Sequence, residues 1–148
     1  MNLANVCTED DDDAYGQLLM KATAEGDFDK VQQAIACGAD TNVVNEQGCT
    51  SLMISTVIDG GDCGLSGPDR SQVDTYRWER SKAIFKYLLD DGANTDKQDL
   101  LGESVAHKLS SSNSFPELIA TLKESGANLN LQDRYGMTAV MQAALSGN

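Results

Sequence analysis

A chain of 148 residues, 41% hydrophobic and 23% charged, has the length of one folded domain and is too apolar for a disordered tail. Its net charge is −12, so the surface repels phosphate backbones and anionic lipid heads, and this argues against nucleic acid and membrane as partners. No apolar run approaches the roughly 20 residues that a bilayer span requires.

The chain opens MNLANVCTEDDDD, without the basic and apolar regions of a signal peptide. Residues 1–13 read as an acidic, solvated leader. Its five acids, Glu9 to Asp13, stand just ahead of a helix, where they suit the positive end of the helix dipole. A calcium loop started at Asp11 places Asp13 and Gly16 in register but fails at its last ligand, which is Ala22. The cysteines, Cys7, Cys37, Cys49 and Cys63, have no C-x-x-C spacing, and the single histidine, His107, is remote from them in sequence. Zinc is therefore disfavoured, and reduced thiols in the cytoplasm are expected.

A first short helix is predicted at about 17–24. A second follows, with Phe28, Val31 and Ile35 on one apolar stripe. Then comes GADTNVVNEQG from Gly38, and the pattern returns as GANTDKQDLLG from Gly92 and GANLNLQDRYG from Gly126. The same offsets carry other ladders. Met20, Met53, His107 and Met141 fall into line, as do the small residues Thr23, Thr56, Ser110 and Ala144. Thr50, Ser104 and Thr138 recur as hydroxyls placed to cap short helices. Fixed-period self-similarity of this kind marks a stacked repeat architecture.

The second interval is longer than the others. Its first part, GGDCGLSGPD, is a glycine-rich loop with no Lys-Ser/Thr to make it a phosphate loop. Its second part, SQVDTYRWERSKAIFKYLL, has Ser71 and Asp74 in a capping-box relation. Val73, Tyr76, Arg80, Ile84 and Tyr87 then follow a helical stripe, which predicts an extended helix over about 71–90. Ile84 with Leu88, and later Leu118 with Leu122, mark the outer helices of the two middle units. Trp78, the only tryptophan, and Tyr76 stand in the insertion among Arg70, Arg77 and Arg80, a composition favoured at interfaces. Trp78 could equally pack the loop onto the helix backs.

The segments NEQGCTSLMIST from Asn45, DLLGESVAHKLS from Asp99 and DRYGMTAVMQAA from Asp133 resemble the ankyrin-repeat pattern D-x-x-G-x-T-P-L-H-x-A-A, followed by G-A-D-x-N. Ser51, Val105 and Ala139 replace its proline, and only His107 keeps its histidine. The resemblance implies an all-α solenoid of helix pairs with β-turn fingers, about three and a half repeats over 14–148. The units are expected at about 14–44, 45–98 with an insertion over 60–79, 99–132 and a partial 133–148. The last unit reads as the start of a repeat in a longer array or, as the alternative, as an unusually short cap formed by Gln142 to Leu145.

His107 is then expected to order a neighbouring finger rather than to catalyse. Ser110 to Ser112 lack an orienting acid, and Asp90 and Asp91 fall in a solvated turn. No enzymatic activity, metal or cofactor is expected. The resemblance implies a protein partner, held by finger tips and the concave inner-helix face. The candidate contacts are Glu46, Gln47, Cys49, Val57, Ile58, Leu100, Leu101, Glu103, Arg134 and Tyr135, with Tyr76 and Trp78 of the insertion as a competing site. The −12 charge also fits an acidic inhibitor of a basic enzyme or nucleic-acid-binding protein, and the partial last unit fits a regulatory arm of a larger enzyme. The chain is expected to be a monomer or to pair end to end through its last unit.

Overall fold

The computed structural model describes Cys7 and residues 12–57, 63–64, 75–111 and 116–147. Among them run α1 (Asp12–Glu25), α2 (Phe28–Ala36), α3 (Ser51–Thr56), α4 (Thr75–Asp90), α5 (Val105–Ser111), α6 (Pro116–Glu124) and α7 (Ala139–Ser146). The helices pack as pairs, α1 on α2, α3 on α4 and α5 on α6, and α7 begins a fourth unit against α5. Neighbouring units meet through α1, α3, α5 and α7 in one row, and α2 meets α4 in a second. The architecture is an all-α solenoid. No helix this short holds by itself, so stability comes from the shared core between neighbours.

That core takes Val31, Ile84, Leu88, Leu118 and Leu122 from the predicted stripes and adds residues outside them. Leu19, Val31, Leu52, Ile84, Phe85, Leu88, Leu118 and Leu122 are fully buried. Phe28 meets Tyr87 edge to face, with ring centroids 5.5 Å apart, and joins the first outer helix to the second. The small residues of the inner row let the helices approach closely. Their hydroxyls fold back onto their own helices: Thr23 to the Leu19 carbonyl (2.7 Å), Thr56 to Met53 (2.7 Å) and Ser110 to Ala106 (2.8 Å).

Thr50 and Thr138 cap α3 and α7 as expected, accepting from Met53 N and Met141 N. The third unit departs from this pattern. His107 Nδ1 accepts from Ser104 N (3.1 Å) and lies 2.9 Å from Ser104 Oγ. The ring proton is therefore on Nε2, which donates to the Met137 carbonyl at 2.8 Å. His107, 1% exposed, thus ties the third unit to the fourth finger.

Three expectations need correcting. First, α1 starts at Asp12 rather than near residue 17. Second, the apolar stripe of the second outer helix is shorter than predicted, over the 16 residues described as α4, about 24 Å at 1.5 Å per residue. The capping box of Ser71 and Asp74 lies outside the described residues, as do Val73 and Arg70. The buried stripe starts only at Ser81, and Tyr76 and Arg80 are exposed.

Third, the cysteines are paired. Cys7 bonds Cys37 and Cys49 bonds Cys63, with Cα–Cα distances of 5.4 and 5.7 Å. The pairs are 30 and 14 residues apart in sequence, and only the fold brings them within bonding reach.

The insertion helix is fastened to the first unit by Arg77. Its guanidinium donates to the carbonyls of Glu25 (2.9 Å) and Ala24, the last of α1, beyond those that Gly26 N and Asp27 N bond, where a cation is favoured. Arg77→Ala is expected to lower the unfolding free energy by about 2 kcal/mol. His107→Ala should cost a similar amount, because it strands the Met137 carbonyl as well as removing the ring. Shifts in the midpoint of urea unfolding, with helical content unchanged before the transition, check both.

Candidate interaction surface

Each finger is built by one acidic or amide side chain. Asn45 Oδ1 accepts from Gln47 N (3.0 Å) and Cys49 N (2.9 Å). Asp99 Oδ1 does the same for Leu101 N and Glu103 N (both 2.9 Å), and Asp133 Oδ1 for Tyr135 N (2.8 Å) and Met137 N (2.9 Å). This is an Asx turn made three times. Leu100 N donates to the Gln47 carbonyl (3.0 Å) and Arg134 N to the Leu101 carbonyl (2.9 Å), so each finger lies against the next. A Cβ on Gly102 would stand 2.8 Å from Arg134 N, and Gly102 has φ +75°. Glycine is therefore required there on both counts.

The turn bases are linked too. Asn94 N donates to Asn42 Oδ1 (2.7 Å), and Asn128 N donates to Asp96 Oδ1 (2.8 Å). With backbone and bases fixed, the tips have nowhere to turn but outward. Leu100 is 73% and Tyr135 76% exposed on adjacent fingers. Arg134 and Glu46 are exposed as well, and the Arg134 guanidinium carbon lies 5.3 Å from the Tyr135 ring centroid. Exposed apolar tips on a rigid frame are suited to contact another protein.

Leu101 and Gln47 are half-buried, since each carries a carbonyl used by the next finger. Cys49 is wholly buried in its disulfide and adds no surface. Val57 is half-buried, and Ile58 lies outside the described residues. Tyr76 is 75% exposed on α4, away from the fingers, while Trp78 is half-buried against the core. On α7, Val140, Met141 and Leu145 are exposed.

The sequence reading missed Lys108. Its side chain, 4% exposed, bridges Asp99 Oδ2 (2.7 Å) and Glu103 Oε2 (2.6 Å). Gln142, which stands at the corresponding place in the next unit, donates to Glu103 Oε1 (2.9 Å). Both oxygens of Glu103 are thus engaged within the chain, and this residue braces the third finger. A lysine one place after His107 on an inner helix, with acids at both ends of the preceding finger, was the available signal. Among the described residues, no cluster of His, Cys, Asp or Glu could hold a metal, and no helix is long and apolar enough to cross a membrane.

A family profile described as ankyrin repeats (3 copies) matches residues 77–148. Residues 77–148 thus match ankyrin repeats, and the stacked helix pairs of the described residues fit an all-α ankyrin solenoid. The chain is also similar to the "Ankyrin repeat protein nuc-2" of Neurospora crassa, 28% identical over 151 residues, covering 92% of this chain and 14% of that protein. Ankyrin repeats are in general protein–protein interaction modules, and the family is typically non-enzymatic.

Burial acts to lower the Lys108 pKa, but hydrogen bonds and charge from Asp99 and Glu103 prevail and hold it above the ordinary lysine value of 10.5. A raised pKa stabilises the fold fully below the unfolded value and loses that stabilisation as pH rises through the folded one. Lys108→Met should cost about 3 kcal/mol near neutrality, because it leaves two acids facing each other in a buried place. The deficit relative to wild type should stay flat up to about pH 10 and shrink above it. Urea midpoints of both proteins across that range measure it.

Proposed function

We propose that this ankyrin array is a non-enzymatic module that captures a protein partner through its finger tips and the inner-helix face beside them. The single observation that supports this most is the pair of exposed tips, Leu100 and Tyr135, set side by side by hydrogen bonds that do not involve their side chains. The −12 net charge favours a partner with a basic contact surface, and the acidic-inhibitor reading is the form this takes when the partner is a basic enzyme. The chain spans 14% of the length of the curated relative it matches, so a role as the regulatory arm of a larger protein belongs to the same proposal. So does end-to-end pairing through the exposed apolar side of α7. Placement in the cytoplasm is proposed with one condition: thiols are kept reduced there, so the chain would work with its accessible cysteine pair open.

The test is capture of partners by the immobilised full chain, at low and high salt, for wild type, Leu100→Asp/Tyr135→Asp and Tyr76→Ala. The tip variant should retain its unfolding midpoint within about 0.5 kcal/mol, since neither side chain packs on the core. It should lose capture, and capture by wild type should weaken with salt. Retention by the tip variant with loss in Tyr76→Ala would move the site to the outer helix. Salt-independent capture would remove the basic partner.

A further inference from the structure

The two disulfides differ in a way that decides their chemistry. Cys49 is 0% and Cys63 1% exposed. Their bond is further enclosed by Asn45, whose Nδ2 donates to the Cys63 carbonyl at 2.8 Å, and by the Gln47 side chain lying against Gly64. Cys7, by contrast, is exposed, and Cys37 is half-buried at the C-terminal cap of α2. Exchange requires an incoming thiolate to reach a disulfide sulfur, so access separates the two pairs.

The loops they close also differ. The Cys7–Cys37 bond spans 30 residues and encloses the whole of α1 and α2. The Cys49–Cys63 bond spans 14 residues and encloses only α3.

We propose that Cys7–Cys37 is a thiol–disulfide exchange site through which a dithiol reductant sets the stability of the first helix pair, while Cys49–Cys63 stays closed in the folded chain. The reductant thiolate bonds to the Cys7 sulfur, and the Cys7–Cys37 bond breaks with its electron pair passing to Cys37, which takes up a proton. The second thiol of the reductant, as thiolate, then attacks its own sulfur in the mixed disulfide and expels the Cys7 thiolate, which is protonated in turn. The products are two protein thiols and one oxidised dithiol. Opening this bond restores the chain entropy of the unfolded first unit, so α1 and α2 lose stability while the outer units, which contact only their neighbours, keep theirs.

The test uses the full chain purified in air, with dithiothreitol as the dithiol. Samples are quenched at intervals, alkylated and mapped cysteine by cysteine by mass spectrometry. Cys7 and Cys37 should become alkylated at least about tenfold faster than Cys49 and Cys63 in the folded protein, and the rates should converge in guanidinium. Equal rates in the folded protein, earlier opening of Cys49–Cys63, or four free thiols before reductant is added would each overturn the assignment. The Cys7→Ser/Cys37→Ser variant tests the consequence. Hydrogen exchange should accelerate by at least about tenfold across α1 and α2 and remain unchanged in α6. Unchanged exchange in α1 and α2 would overturn the coupling to the first unit.

Discussion

One side-chain oxygen at the head of each finger governs the rest of this molecule. Asn45, Asp99 and Asp133 each hold two backbone N–H groups that a tight loop would otherwise leave unpaired. The turn so fixed points one carbonyl and one N–H along the stack, and successive fingers join through them. The inner helix then starts at a set place after the turn, so its apolar side falls on the neighbouring helix without adjustment. Repeat spacing, helix packing and the outward position of the tips all follow from that single local bond pattern.

Asn45 also holds the Cys63 carbonyl through its Nδ2, and Asp99 has a second duty of another kind. Its Oδ1 makes the turn and its Oδ2 receives Lys108, which also holds Glu103 at the far side of the same finger. With Gln142 on Glu103 and His107 on the Met137 carbonyl, the third unit is bonded to the fourth by side chains as well as backbone. The third unit is thereby braced beside the exposed tips Leu100 and Tyr135. Stiffness there has a functional consequence. Tips that do not need ordering on contact lose little conformational freedom when a partner arrives.

The periodic part of this fold was legible in the residues. Glycines, Asx residues and hydroxyls at fixed offsets mark turns and caps because their chemistry is local, and the apolar stripes of the outer helices repeat for the same reason. Contacts that join distant sequence were not legible. Arg77 with the end of α1 and both cysteine pairs depend on which segments the stack brings together, and no spacing encodes that. For the candidate surface, exposure at Leu100, Tyr135 and Tyr76 agrees with what residue type and turn position imply. Glu103 and Cys49 occupy surface-facing register positions, yet each is drawn inward by a partner, Lys108 in one case and Cys63 in the other.

Both disulfides and Arg77 share a logic set by the solenoid itself. In a one-dimensional stack each unit is stabilised only by its neighbours, so a segment outside the repeat pattern has no core of its own to enter. The chain before α1 and the insertion that runs into α4 are such segments. Each is attached to the repeat frame by specific bonds: to a cysteine at the end of α2, to a cysteine in the finger of the second unit, and to the last carbonyls of α1. Attachments of this kind can be changed one at a time, and each loss falls on the unit that it fastens. The non-repeat segments are thereby tied to single chemical events, while the repeat frame, held by many small interfaces, is not.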